Sequence, residues 1–306
     1  MRILLTGSSG TIGTPITVTL SVTGHEGVYL ERNQPVKSDA GTARSSKDLR
    51  FPGIAERAIV GVHRVIHLTA MSRAWVTGTH QALTKSHNLE GTRLLLVAIA
   101  SRKERPWTIF LSSRDVYGDC EDLPVSESHN LRPKGVYGRT KVLGEDLVSR
   151  HSERTGERSM ILRLTDVYEP RTDHPDRLVP AFTSAAPEVP PLEVRGPDQV
   201  VDILHVDDTI RAFIAAVSRL PIGSASSSKT FNVPSGVGTQ VGDPAVLVRS
   251  ITASESQVRV LPAPRWSATR FVVDGVGARE PPGWTPRIGL WSGLPNMFRA
   301  SHPIPA

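Results

Sequence analysis

The sequence predicts an α/β fold: a doubly wound parallel sheet followed by a smaller C-terminal annex. Three observations carry this expectation. Short apolar runs alternate with helical patterns from residue 2 to about residue 169, the signature of βαβ units and a parallel sheet. A glycine-rich turn, Gly7 to Gly13, joins the first apolar run to the first helical pattern. Beyond residue 169 the pattern changes, and proline recurs from Pro170 through Pro175, Pro180, Pro187 and Pro190 to Pro197.

Taken in order, Arg2 to Thr6 is a short apolar run bounded by glycine, which reads as a buried strand. Residues 11–22 carry Ile12, Ile16 and Leu20 at helical spacing. Val28 to Leu30 reads as the second strand, and Val65–Leu68, Thr108–Leu111 and Met160–Leu162 as later ones. Helices are expected over residues 89–100 and 136–150. In the proline-rich part, Asp207 to Arg219 reads as a helix and Thr230 to Val233 as a short strand. His205 is expected to fix the entry to that helix, with Asp207 or Asp208 as its N-cap. The remainder reads as short elements on loops, without a second strong core.

Composition bounds the function. The chain has 306 residues, 39% hydrophobic and 22% charged, enough for a large globular core. A single cysteine, Cys120, rules out an internal disulfide and fits a reducing compartment. No apolar run is long enough to span a bilayer, and the apolar start Ile3-Leu4-Leu5 stops at Thr6, too soon for a signal peptide. A cytoplasmic protein without a membrane partner is therefore expected. The net charge is +6, but the basic residues are scattered and not interleaved with aromatics, so nucleic acid is not an expected partner. The ten histidines form no HExxH and no Cys/His pairing, so no metal site is expected.

Two motifs carry chemistry. Gly7-Ser8-Ser9-Gly10-Thr11-Ile12-Gly13 lies directly after a strand and opens a helix. Glycine permits the tight turn and close approach of backbone to a pyrophosphate, and the helix N-terminus offers free N–H groups to it. Glu31 closes the second strand, where its carboxylate can accept both ribose hydroxyls and repel a 2′-phosphate. That points to NAD rather than NADP, with the adjacent Arg32 pulling the other way. On this basis residues 1–169 form a Rossmann-type dinucleotide-binding domain to which 199–235 return. Residues 170–198 and 236–306 form a substrate-binding annex.

The second motif is Tyr137-Gly138-Arg139-Thr140-Lys141. Tyr137 and Lys141 are one turn apart on one helical face. A neighbouring ammonium stabilises phenolate, so the expectation is a phenol pKa lowered toward neutrality. Ser112 and Ser113 end a strand, and a serine there faces the ligand edge of an open α/β sheet. Ser113 can hydrogen-bond a substrate oxygen and share its proton with the tyrosine.

Together these residues resemble the extended short-chain dehydrogenase/reductase superfamily, in its NAD-dependent epimerase/dehydratase branch. The resemblance runs nearly the full length. It passes through Thr6–Gly13, Asp48-Leu49, Leu68-Thr69-Ala70, Asn88–Thr92, Ser112–Gly118 and Tyr137–Lys141. It continues through Leu162–Arg171, His205–Asp208, Phe231–Val233 and Gly283–Pro286. It implies that Tyr137 is the acid/base, that Lys141 tunes it and holds the nicotinamide ribose, and that Ser113 polarises the reacting oxygen. It implies cofactor contacts from Gly7, Gly10, Thr11, Ile12, Gly13, Glu31 and Arg32. Further contacts would come from Asp48 and Leu49 on the adenine side, from Leu68, Thr69 and Ala70, and from Thr165. A homodimer through the Tyr137 helix is a further implication.

The chain also departs from that pattern. Val201 precedes Asp202 where sugar-nucleotide members usually carry arginine, and Asp166 stands where they usually carry asparagine. Arg265 falls near the place of another diphosphate-binding arginine, and an Asp166–Arg265 pair is one expected consequence. Asp115 stands where dehydratase members place a carboxylate; hydrogen bonding to loop amides is an equal reading of it. The expected function is an NAD-dependent epimerase/dehydratase-type oxidoreductase acting on a small hydroxy/keto substrate of sugar origin or otherwise. Two alternatives remain: an NAD(P)H-dependent ketoreductase or dehydrogenase of a non-nucleotide metabolite, and a catalytically idle NAD-binding sensor or scaffold. Ser113, Tyr137 and Lys141 together speak against the last.

Overall fold

A computed structural model describes residues 1–31, 44–46, 48–72, 74–169, 177–185, 191–219, 228–252, 255–263, 270–275 and 283–301. The first half alternates as the sequence predicts. Strand β1 (Arg2–Thr6) leads through the glycine turn into α1 (Gly13–Val22), then β2 (Glu26–Glu31) and β3 (Arg44–Ser46). Helix α2 (Ile54–Ala58) precedes β4 (Arg64–His67), and α3 (Ala74–Thr79) and α4 (Gln81–Lys85) follow it. A π-helical turn (Ser86–Glu90) then runs into α5 (Gly91–Ala100), so the helix expected over residues 89–100 opens with a widened turn. Strand β5 (Trp107–Ser113), a 3₁₀ turn (Arg114–Val116), α6 (Val136–Thr155) and β6 (Ser159–Leu164) complete this half.

These strands form a parallel sheet that a later strand, β10 (Ser228–Val233), joins at the edge; the order is β10-β6-β5-β4-β1-β2-β3. The chain works outward in one direction from β1 and in the other from β4. The switch point, where open α/β sheets bind ligands beyond their carboxyl ends, therefore lies between β1 and β4. The strands read as continuous apolar runs because both faces are covered. Ile3 and Leu5 of β1 point into one core with α1, while Leu4 points into the other with α2, α5 and α6. Burying one such aliphatic side chain contributes about 1.5–3 kcal/mol.

The annex is better built than its composition suggests. Strand β7 (Asp166–Tyr168) pairs with β9 (Val200–His205), which pairs antiparallel with β11 (Gly238–Gln240); β8 (Leu192–Arg195) pairs with β12 (Val258–Leu261). With α7 (Leu178–Ala185), α9 (Asp243–Thr252) and α10 (Leu290–Ser301), these strands enclose a core of their own around Phe182, Val194, Val201, Ile203 and Leu294. Helix α8 (Val206–Arg219) instead packs Phe213 and Ala216 into the main core.

His205 fixes the entry to α8 as expected, but the capping residue differs. His205, not an aspartate, caps it, with Nδ1 accepting the Asp207 N–H at 3.0 Å. The fully buried Asp208 carboxylate accepts the backbone amides of Arg287 and Ile288 and pairs with Arg211. Trp284 donates its indole N–H to the Asp208 carbonyl at 2.9 Å. An aspartate in a helix's first turn thus ties the C-terminal segment to the sheet, a role no local pattern signals. No helix among the described residues is long and apolar enough to cross a membrane.

Candidate active site

The site lies beyond the carboxyl ends of β1, β4, β5 and β6. On its cofactor side, the Gly7 amide donates to the Leu30 carbonyl at 2.8 Å, fastening the glycine turn to β2. A Cβ at Gly13 would collide with the Gly7 carbonyl, so only glycine lets α1 start this close to the turn. Glu31 is buried, with one carboxylate oxygen 3.5 Å from the Ser8 hydroxyl and the other without a hydrogen-bond partner among the described residues. A buried acceptor of that kind costs free energy unless something supplies a donor. Ribose hydroxyls fit it, and the glycine cradle fits a dinucleotide's phosphates. The residues present therefore suit NAD.

Asp48 and Leu49, the expected adenine-side pair, stand between β3 and α2, and the Asp48 carboxylate is already engaged. Arg50 holds it through its backbone amide and a guanidinium nitrogen at 2.6 Å. That hydrogen-bonded pair keeps the Asp48 pKa below the ordinary carboxylate value. Leu68 is buried, and Thr69 and Ala70 lie half-buried beyond β4. Thr165 is buried at the end of β6, its amide donating to Val233. Gly10, Thr11 and Ile12 line the turn before α1. Arg32 and Arg265 lie outside the described residues.

Helix α6 delivers Tyr137 and Lys141. Its Gly138 packs against the 3₁₀ turn, where a Cβ would collide with the Asp115 carbonyl. Asn88, in the π-turn, clasps the same region: its amide side chain exchanges bonds with the Met71 backbone at 2.7 and 3.2 Å and donates to Thr140 at 2.9 Å. The Lys141 ammonium donates to the Leu111 carbonyl at 2.6 Å and lies 5.7 Å from the Tyr137 ring. Burial pushes the Lys141 pKa down to about 7, against the opposing pull of Glu145. Behind it, buried His67 bridges Thr6 and Thr92 and is held neutral, its pKa pushed to about 3 by burial and by Lys141.

Ser113 lies close enough to Tyr137 to favour its phenolate, and the Ser113 hydroxyl accepts the Asp115 amide at 3.2 Å. The phenol does not behave as the pairing with lysine alone suggests. Burial raises its pKa above the ordinary value, the Asp115 carboxylate raises it further, and Arg177 and Ser113 only partly oppose this. Lys141, whose own pKa burial lowers, is not among the groups that set the phenol's value.

On the other side of Tyr137 the cleft is charged. Arg114, Asp115, Lys134 and Tyr137 line it. The Arg114 guanidinium, 12% exposed, sits 3.9 Å from Asp115 and 3.0 Å from Asp166. Burial raises the Asp115 pKa, Asp166 adds to the rise and Arg114 opposes it. The opening of its side chain to the cleft tempers that push. Arg114 is thus the partner of Asp166, and the expected pairing with Arg265 falls outside the described residues. Val201, where arginine would bind a phosphate, is packed into the annex core at 4% exposure.

Sequence reasoning missed the support beneath the site. Arg163 of β6 makes a two-bond ion pair with Glu145 of α6, at 2.9 and 2.6 Å, and donates to the Tyr117 hydroxyl at 2.8 Å. Tyr117 donates to Asn232 at 2.6 Å, and Ser112 donates to Glu145 at 2.5 Å. The signal was present: an arginine inside an otherwise apolar strand covered on both faces must be paired. Among the described residues no group of three or more His, Cys, Asp and Glu side chains is placed to hold a metal ion.

Comparison with known proteins agrees with this geometry. The model of the NAD dependent epimerase/dehydratase family matches residues 3–233. A UDP-glucose 4-epimerase of Mycolicibacterium smegmatis is 25% identical, covering 96% of each chain. A dTDP-glucose 4,6-dehydratase of Streptomyces griseus is 25% identical over 78% of this chain and 71% of its own length. The solved UDP-glucose 4-epimerase of Thermus thermophilus in complex with NAD superposes with a TM-score of 0.87 at 25% identity, covering 98% of this chain and all of that one. The chain belongs to the NAD dependent epimerase/dehydratase family and is an NAD-dependent enzyme of the extended short-chain dehydrogenase/reductase type.

Proposed function

We propose that this enzyme interconverts hydroxyl and keto carbons through Ser113, Tyr137 and Lys141, in an epimerisation or dehydration that leaves NAD regenerated. The observation that carries the reading is the Lys141 ammonium, fixed by the Leu111 carbonyl 5.7 Å from the Tyr137 ring, with Ser113 at the end of β5 beside them. NAD, when bound, supplies the hydride acceptor and donor. The Tyr137 hydroxyl moves the proton of the reacting oxygen, and Ser113 holds that oxygen in line. Lys141, fixed by the Leu111 carbonyl, keeps a cation beside the phenol and offers N–H donors to the nicotinamide ribose. Glu31, through its unpartnered oxygen, accepts the adenine-side ribose. Asp115, with its raised pKa and its place against Tyr137, is a second proton carrier.

The relatives' names place them on UDP- and dTDP-sugars. For this chain the proposed substrate is a hydroxy/keto compound of sugar type, without the usual diphosphate grip. Val201 offers no charge, and Arg114 is already engaged by Asp166. A non-nucleotide metabolite therefore stays in play as the second reading. A homodimer through α5 and α6 accompanies the proposal, since Val97 and Leu143 are about half exposed on those helices. The test is to isolate the protein and assay bound nucleotide, then add candidate hydroxy and keto sugars. NAD retained in stoichiometric amount and unconsumed over many turnovers supports the proposal. Stoichiometric conversion of NAD to NADH with each product would make the enzyme a simple dehydrogenase instead.

A further inference from the structure

The opposite end of the sheet carries a second charged feature that the chemistry above does not use. Arg64 and Trp107 are register partners on β4 and β5, and the Thr108–Ser159 pairing sets Arg158 level with Trp107 on the other side. The three side chains thus form a row across adjacent strands. The Arg64 guanidinium lies 3.8 Å from the indole centroid and that of Arg158 lies 5.0 Å from it. Trp107 and Arg158 line a recess with Arg105, Gly156 and Glu157, and Arg64 lies at its edge over the same indole.

This row lacks counterions. Among the described residues, no carboxylate forms an ion pair with Arg64, Arg105 or Arg158. The nearest acid in sequence, Glu157, turns inward, 2.6 Å from His151 and accepting the Thr108 hydroxyl at 2.6 Å. Arg64 spends one N–H on the His63 carbonyl and Arg105 one on the Thr155 carbonyl, out of five on each guanidinium. The Arg64 Nε is buried without a hydrogen-bond partner among the described residues. Burial, and then the charge of Arg158, lower the Arg64 pKa. Two guanidinium groups held on one indole repel each other, and an anion that bridges them removes that repulsion.

We propose that the Arg64–Trp107–Arg158 row, with Arg105 at its rim, binds a small phosphate-bearing anion. The site lies about 20 Å from Ser113, since Trp107 and Ser113 are the two ends of β5. Its ligand is recognised by paired oxyanions, as a diphosphate presents them, and not by its base or sugar.

The test uses the NAD-loaded protein, so that the dinucleotide site is filled, with inorganic pyrophosphate as probe at low ionic strength. Calorimetry is expected to show one saturable site, weakened at least tenfold by Arg158→Gln and by Arg64→Gln but unchanged by Lys103→Gln nearby. In the unmodified protein, pyrophosphate is expected to shield Arg158 from phenylglyoxal, read by peptide mass spectrometry; this arm needs no variant to fold. Absence of both saturable binding and shielding at millimolar pyrophosphate overturns the proposal. So does equal affinity in the Arg158→Gln protein, which would move the anion to the active-site cleft. A short single-stranded oligonucleotide binding a hundredfold more tightly than pyrophosphate would overturn the small-ligand reading.

Discussion

On the Lys141 side of Tyr137, buried groups are held by fixed neutral partners: Lys141 by the Leu111 carbonyl, His67 by Thr6 and Thr92, Asn88 by Met71 and Thr140. On the Arg114 side the groups are ionised, closer to solvent and paired with one another, Arg114 with Asp115 and Asp166. The first side suits a cofactor whose shape never changes. The second is an adjustable surface, where one substitution alters which charge a substrate meets. The contrast explains why the cofactor could be read from residue types and the substrate could not.

The largest expected effect breaks the shared centre. Tyr137→Phe should lower turnover by about 10²–10⁴-fold, the range for losing a positioned acid/base, while NAD binding by calorimetry stays close to that of the unmodified protein. Near-normal turnover would remove the phenol from the mechanism.

Next in size is the support beneath it. Glu145→Ala leaves the buried Arg163 guanidinium without its carboxylate, which typically costs about 3–5 kcal/mol. Denaturant unfolding should show that loss. An unchanged midpoint would mean that Arg163 finds another partner.

Lys141→Met sharpens the cofactor side from the opposite direction. The folded pKa of Lys141, about 7, lies below its ordinary value of 10.5. Its burial therefore destabilises the NAD-free protein fully below about pH 7, and the cost fades as pH rises toward 10.5. The variant should be inactive yet more stable at pH 7, by on the order of a few kcal/mol, with the advantage vanishing near pH 10.5. A stability gap independent of pH contradicts this.

The smallest effect lies on the substrate side. Asp166→Asn frees a partly exposed ion pair, so stability should change by about 1 kcal/mol or less. Binding of UDP to the NAD-loaded protein should rise up to about tenfold, because a charge-assisted bond to Arg114 becomes available. Reduced UDP binding would show that Asp166 does not compete for Arg114.

How much of this was legible follows the same divide. The turn from Thr6 to Gly13 and the spacing of Tyr137 and Lys141 are local patterns; the first lies beyond β1 at the switch point of the sheet, the second against β5 and the turn that follows it. Glu145 and Arg163 were legible in principle, as charges on faces that must be buried. Asp208 was not, because its partners, the amides of Arg287 and Ile288, lie 79 and 80 positions away. The annex core was hidden for a related reason. Its strands β7, β9 and β11 are short, come from separate stretches and pair only after the chain has folded back. The phenol's raised pKa depends on Asp115 and burial together, which spacing alone does not encode.

The central proposal is that the cofactor side holds NAD as in the family, while on the substrate side Arg114 is engaged by Asp166 and offers no free grip on a diphosphate. Titration of the NAD-loaded, unmodified protein with UDP-glucose and dTDP-glucose tests it most directly. Loss of one arginine–phosphate contact is worth about 1.5–3 kcal/mol, roughly one to two orders of magnitude in affinity. The account predicts no saturation at micromolar concentrations of either sugar nucleotide. Saturable micromolar binding of either one would contradict it and put this enzyme's substrate among the nucleotide sugars.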